Sequence, residues 1–353
     1  MINIFLGYLF FCILFISKIE NIECYTIQNH KTNKNFGTFV INANSKPVNN
    51  FTRINNGISK GKLLSYSKLL RTNNILPTFL LNILGGWLTI PSYKLFLNKK
   101  FWAFSLITQL TMMNSMVIND LFDLKIDLIN NNNRPLVNKE ISIKEAQCLY
   151  ISTNVVISIL SVLFFYEKQF YKFIYTINLI LFLYTPYLKK ILFIKNITCA
   201  SVVSSTLVLT SKSLLLNNIM IASQNTQHIN LIAITSKFLF LSSLYIELLL
   251  DVKDIQGDKE NNIVTIPNYF GIKKTFNLLM ILFSGNVLYH TTIFYRSHQY
   301  KLFIGFILAN VHFFKNLFRL RNNKIVNDKQ ILNSVKETTI SLIIFIACLL
   351  LPF

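Results

Sequence analysis

Between residue 75 and residue 353 the chain reads as nine apolar segments, at roughly 75–93, 101–119, 147–166, 170–188, 197–216, 229–250, 275–295, 301–318 and 335–353. Each is close to the ~20 residues that a helix needs to cross the hydrocarbon core of a bilayer. Backbone N–H and C=O groups find no water in lipid, so segments of this kind are confined to helices that satisfy their own hydrogen bonds. The sequence therefore predicts an all-α polytopic membrane protein with nine transmembrane helices. Composition agrees: of 353 residues, 52% are hydrophobic and only 14% charged, and the mean hydropathy is +0.44. The connections are mostly short, so consecutive helices are expected to run antiparallel.

If all nine segments cross, the connections at 120–146, 189–196, 251–274 and 319–334 share one side of the membrane. They carry fifteen Lys and Arg against seven on the opposite side, which orients the chain in the positive-inside sense. The net charge of +20 does not point to nucleic acid, because the lysines are spread between apolar segments and form no continuous basic face. Cys12, Cys24, Cys148, Cys199 and Cys348 make no close pair, and the histidines lack acidic or thiol partners at ligand spacing. Neither a disulfide framework nor a zinc or haem site is expected.

Ahead of the membrane body, residues 3–17 form an apolar run too short to span comfortably. Residues 1–24 therefore read as a signal-peptide-like segment, with a first transmembrane helix as the competing reading. Residues 25–65 read as a transit-peptide-like or disordered arm, basic and without a single Asp or Glu. A leader in two such parts predicts a plastid membrane as destination, with the mitochondrial inner membrane or another endomembrane as alternatives. The membrane domain is taken as 66–353.

Acids are scarce, 15 in all, and six of them form two matched triplets: Asp120, Asp123 and Asp127, then Asp251, Asp254 and Asp258. Both are spaced three and then four, and both close an apolar segment. On a helix that spacing stacks three carboxylates on one face. Like charges so placed repel, so a cation is expected to bridge them; oxygen ligands on adjacent turns suit Mg²⁺ that keeps waters and a substrate phosphate. The parity of the segments puts both triplets at the same membrane face, where one diphosphate can meet both. With nearby Lys and Arg they form a clamp for a departing polyphosphate. An apolar bundle with 31 Phe and 15 Tyr keeps water from a carbocation and offers it π faces. The substrate so described has a diphosphate head and a long apolar tail.

Asn119-Asp120-x-x-Asp123-x-x-x-Asp127, followed by Arg134-Pro135-Leu136, resembles the first signature of the UbiA superfamily of intramembrane prenyltransferases. Asp251-x-x-Asp254-x-x-Gly257-Asp258, continuing through Thr265-Ile266-Pro267 to Phe270-Gly271, is similar to the second, and Tyr184-Thr185-Pro186-Tyr187-Leu188-Lys189 to the Tyr-and-Lys element between them. The resemblance covers about 66–353 and implies a UbiA-type bundle. It implies one Mg²⁺ on Asp120, Asp123 and Asp127 and a second on Asp251, Asp254 and Asp258. Asn119, Arg134, Lys189 and Lys259 are the implied diphosphate contacts, and Arg71 corresponds to an N-terminal Arg of the family. The run Ile126–Asn130 and Gly257-Asp258-Lys259 are most similar to the branch of chlorophyll synthases, homogentisate prenyltransferases and geranylgeranylglyceryl phosphate prenyltransferases; the Glu and Arg-Thr variants of haem O synthases are absent. Three positions depart from that branch: Asn138-Lys139 stands where Ser-Gly is common, Lys195 where Gly is common before Asn196, and Leu250 where a polar residue is frequent.

The reaction expected is Mg²⁺-dependent transfer of a polyprenyl group from its diphosphate to a lipophilic acceptor, an aromatic ring of quinone type. The alternatives are transfer to a porphyrin-type or glycerol-phosphate alcohol, a cation-binding transporter, or an inactive relative. Transporter acids usually lie mid-membrane in interrupted helices, whereas both triplets lie at helix exits.

Overall fold

The computed structural model describes residues 60–129, 133–166, 170–215, 226–260, 263–323 and 327–350. The leader and most of the arm, 1–59, and Asn130 of the first signature lie outside them. The described residues are helical, with no strand among them.

The chain enters through α1 (Lys60–Leu69) and a 3₁₀ turn (Thr72–Asn74), then α2 (Ile75–Thr89). α1 crosses the 65/66 boundary between arm and membrane domain. Next come α3 (Lys99–Ile129), α4 (Ile143–Phe165), α5 (Tyr171–Tyr184), α6 (Ile194–Leu215) and α7 (Thr226–Lys253). Two short helices, α8 (Ile255–Glu260) and α9 (Ile266–Phe270), lead to α10 (Ile272–Arg296), α11 (Tyr300–Asn322) and α12 (Asp328–Leu350). Each expected apolar segment overlies one of these helices. Among the described residues, five stretches have the length and apolarity to cross a membrane: Lys99–Lys125, Ile143–Phe165, Ile194–Leu215, Asn230–Lys253 and Ile272–Arg296. The protein is thus a multi-pass membrane protein. Among the described residues the expected nine crossings are not all met by that measure: α2 and α5 have only 15 and 14 residues.

α6 and α7 pack together as the spine; α2 and α3 lie against α6, and α10 and α12 against α7. α2 approaches α6 closely at Gly85, where a Cβ would stand 2.6 Å from the Leu207 carbonyl oxygen. Three helices are tied there by one buried amide: Asn82 Nδ2 donates to Thr108 Oγ1 on α3 at 2.7 Å, and its Oδ1 accepts from Thr210 Oγ1 on α6 at 2.8 Å. A buried amide needs such partners in an apolar bundle.

Two apolar clusters hold the ends of α3 and α7. Val117, Ile118 and Leu121 of α3 pack with Leu69, Leu136, Ile141, Tyr150 and Phe182. This clamps the 134–141 connection, which ends in a capping box: Ser142 Oγ accepts from the Glu145 N–H, and the Glu145 carboxylate accepts from the Ser142 N–H at 2.8 Å. α1 docks on the same connection by Ser65 Oγ donating to Glu140 Oε2 (2.5 Å) and by a Lys62–Glu145 ion pair. Behind α7, Leu248, Leu249 and Val252 pack against α9, α10, α11 and α12, leaving the opposite face of α7 toward α6.

Candidate active site

The first triplet lies where predicted, on the last turns of α3, and all three carboxylates are buried: Asp120 is 3% exposed, Asp123 7% and Asp127 4%. Three buried negative charges on one face demand counter-charges, and the structure supplies them from three connections. Arg134 Nη1 lies 2.6 Å from Asp120 Oδ1 and 2.9 Å from Asp127 Oδ2, bridging the first and last members. Arg71 Nη2 reaches Asp120 Oδ1 at 3.2 Å, and Lys189 Nζ reaches Asp123 Oδ2 at 2.5 Å. Arg71 takes a left-handed backbone conformation (φ 47°, ψ 56°) between α1 and the 3₁₀ turn. Strain of this kind in a non-glycine residue is held in place only by its surroundings; here it accompanies the guanidinium's contact with Asp120. Asn119 Oδ1 accepts from Thr185 Oγ1 at 3.2 Å.

The second triplet is less regular, because the helix breaks between α7 and α8. Asp251 is buried (1% exposed) and paired with Lys195, and it accepts from Asn196 Nδ2 at 2.7 Å. Asp254, at the break, has a side chain 59% exposed and lies 3.4 Å from its neighbour Lys253. Asp258 is buried, and among the described residues its Oδ2 has no hydrogen-bond partner. Burial pushes the Asp258 carboxyl above the ordinary carboxylate range; Lys195 opposes that shift, Asp251 and Asp254 add to it, and Lys189 opposes it. Lys189 therefore pairs with the first triplet and is felt by the second. Lys259 is exposed on α8.

The residues expected from sequence thus fall into one region, with Asp254 and Lys259 at its edge. Lys195 was marked only as a departure from the family, yet it is the cation on Asp251. Glu247 was missed altogether: it lines the cavity below the triplets together with Tyr184 and Cys199. The signal existed, since an acid inside an apolar run and four residues before Asp251 shares that residue's helical face. Lys139, where the family commonly has Gly, holds a positive φ of 57°, the conformation in which glycine costs least.

Below the triplets lies a cavity of about 570 Å³, walled by α2, α3, α5 and α6, with Glu247 of α7. Arg71 and Asn119 mark one end; Phe104, Ile107, Ile174 and Leu209 line the remainder. From Phe104 to Asn119 α3 rises ~22 Å, at about 1.5 Å per residue. The cavity is long, apolar and charged at one end.

No group of three acids, histidines or cysteines gathers closely enough among the described residues to cage a metal ion alone. The donor set nevertheless suits Mg²⁺, a hard cation that takes carboxylate oxygens while keeping waters and phosphate oxygens. The orphaned Oδ2 of Asp258, beside two further carboxylates, is a polar atom that such a cation would satisfy.

The chain matches the UbiA prenyltransferase family over residues 77–347. Among curated proteins it is similar to digeranylgeranylglyceryl phosphate synthase of Methanosphaera stadtmanae, 29% identical over 70% of this chain and 85% of that protein. The same-named synthase of Saccharolobus solfataricus is 29% identical over 62% of this chain and 73% of its own length. Among solved structures, a digeranylgeranylglyceryl phosphate synthase superposes with a TM-score of 0.60 at 22% identity, covering 81% of this chain and 98% of that one. A UbiA homologue from Archaeoglobus fulgidus bound to GPP and Mg²⁺ gives a TM-score of 0.55 at 18% identity, covering 80% of this chain and 99% of that one. These likenesses show the fold. The family match runs from α2 into α12 and takes in both carboxylate signatures, and the chain belongs to the UbiA prenyltransferase family.

Proposed function

We propose that this prenyltransferase moves a polyprenyl group from its diphosphate to the hydroxyl of a glycerol-phosphate lipid. The observation that carries the donor half is the charged end of the long apolar cavity. A diphosphate at that end meets Arg71, Arg134 and Lys189, the three cations now paired with Asp120, Asp123 and Asp127, and the prenyl tail runs down toward Phe104 and Leu209. Asn119, on the wall, orients the same head group, and Lys259 is placed to approach it from the exposed rim.

Asp120, Asp123 and Asp127, and Asp251, Asp254 and Asp258, would hold Mg²⁺, which would supply neutralisation of the diphosphate charge as that group leaves. The chain's own residues do the rest. Arg134 and Lys189 stabilise the charge that builds on the departing diphosphate. The apolar walls exclude water from the allylic cation and keep its partner the acceptor.

The acceptor differs from the aromatic ring first expected. The relatives named above act, by their names, in digeranylgeranylglyceryl phosphate synthesis, and that favours a glycerol-phosphate alcohol over a quinone-type ring. The same relatives are archaeal and lend nothing to a plastid destination, which rests on the N-terminal leader alone. Nine crossings remain the proposed topology; within it, α5 must cross with α4, α6 and α7, because an odd number of passes between the triplets would part them across the bilayer.

The test is competition in membranes containing the full chain, supplied with labelled geranylgeranyl diphosphate, Mg²⁺, and equal amounts of a geranylgeranylglyceryl phosphate and a prenylatable phenol. Label in the ether lipid supports the reading. Label in the phenol alone overturns the acceptor assignment and leaves the transfer reaction standing.

A further inference from the structure

The donor site leaves one carboxylate of the cavity unused, that of Glu247. On α7, Glu247 is followed by Leu248 and Leu249, buried at 1% and 0% exposure in the core behind the helix, while its own side chain lines the cavity. It precedes Asp251 by one helical turn, ~6 Å nearer the bilayer centre. A carboxylate inside a spanning helix is costly and is retained where it lines a polar or reactive space. Cys199, on α6, lines the same cavity, and its thiol donates to Tyr184 Oη on α5 at 3.2 Å. Glu247, Cys199 and Tyr184, from three helices, thus share one level of the cavity wall.

That level is where the reaction takes place. A diphosphate between the triplets puts its allylic carbon one bond from the bridging oxygen, just inside the cavity and on the Glu247 side of Asp251. The triplet carboxylates have other partners: Asp120, Asp123, Asp127 and Asp251 each lie against Arg or Lys, and the two triplets are the positions that would hold Mg²⁺. Among the described residues no cation pairs with Glu247.

We propose that Glu247 is the proton acceptor of the transfer. The acceptor hydroxyl oxygen forms the new C–O bond to the allylic carbon, the bond from that carbon to the diphosphate breaks, and the electron pair leaves with the diphosphate. The hydroxyl proton passes to the Glu247 carboxylate. Cys199 and Tyr184 line the cavity beside that carboxylate. The inference rests on the transfer reading above.

The experiment separates ionisation from transfer. Geranylgeranyl diphosphate carrying ¹⁸O in the bridging position is incubated with the detergent-solubilised full chain, Mg²⁺ and an acceptor analogue lacking the hydroxyl; scrambling of the label into non-bridging oxygens reports ionisation. Transfer to the true acceptor is measured alongside. Glu247→Gln is expected to scramble within threefold of the unsubstituted chain while transfer falls ~10²–10³-fold, the range of a lost general base. Asp123→Asn is expected to lose both. Transfer by Glu247→Gln within threefold of the unsubstituted chain overturns the proposal, as does a loss of scrambling equal to the loss of transfer. Should Glu247→Gln fail to fold, Glu247→Asp carries the test: it keeps the charge but withdraws it by one methylene, so transfer falls at least tenfold with scrambling intact, and parallel loss overturns the proposal. If the unsubstituted chain prenylates only a phenol, the acceptor reading fails by itself, and the Glu247→Gln comparison is made on that phenol.

Discussion

At the scale of single residues the site is a problem in charge placement. Four buried aspartates, Asp120, Asp123, Asp127 and Asp251, stand within ion-pair distance of Arg71, Arg134, Lys189 and Lys195. The first three cations are candidates to turn to a diphosphate when one arrives. Lys195 differs, because it stands where the family commonly has Gly and holds Asp251 beside Asn196. Removing it leaves Asp251 buried without a counter-charge, a loss of up to ~3 kcal/mol, the low end for a broken buried pair because Lys195 keeps some exposure. Lys195→Gly should therefore lower the thermal unfolding midpoint in EDTA, and Mg²⁺ should restore part of the loss by taking the vacated carboxylate. Equal midpoints with and without Lys195 would show that the pair contributes nothing. The carboxylate triplets were legible in the sequence because three-then-four spacing is a local property of one helix. The pairing of Lys195 with Asp251 was not, since it joins residues 56 positions apart and depends on how α6 meets α7. Glu247 was legible in principle, yet an apolar run that is counted only for its length hides its single acid.

At the scale of elements, the close approach of α2 to α6 sets the cavity's shape. Gly85 admits no side chain without moving the Leu207 backbone carbonyl, and the Asn82 amide ties the same two helices to α3. Gly85→Val should destabilise by at least 1–3 kcal/mol through overpacking, read as a lower unfolding midpoint in detergent. A midpoint within a degree of the unsubstituted chain would show that α2 and α6 separate freely. Hydropathy located the helices but not this contact, because a glycine in an apolar run looks the same whether it faces lipid or a neighbouring backbone. Periodicity also failed to foresee the break between α7 and α8. It extended one helical face through Asp251, Asp254 and Asp258, whereas the break exposes Asp254 and returns Asp258 to the interior.

At the scale of the whole molecule, antiparallel helices bring the ends of α3, α5 and α7 and the start of α6 to one level. The alternation of apolar segments and the excess of basic residues on one side already place both triplets at one membrane face. The acceptor could not, because it depends on wall residues contributed singly by several helices. The central claim is that both carboxylate triplets serve one diphosphate. It is tested most directly by measuring diphosphate release together with labelled prenyl transfer, using the unsubstituted chain, Asp123→Asn and Asp258→Asn, each in Mg²⁺ and in EDTA. Release and transfer are expected to be equal in amount, to vanish in EDTA, and to fall at least ~10²-fold in both variants, as when electrostatic stabilisation of a leaving group is lost. Transfer that persists in EDTA, or that depends on Asp123 but not on Asp258, would contradict that claim.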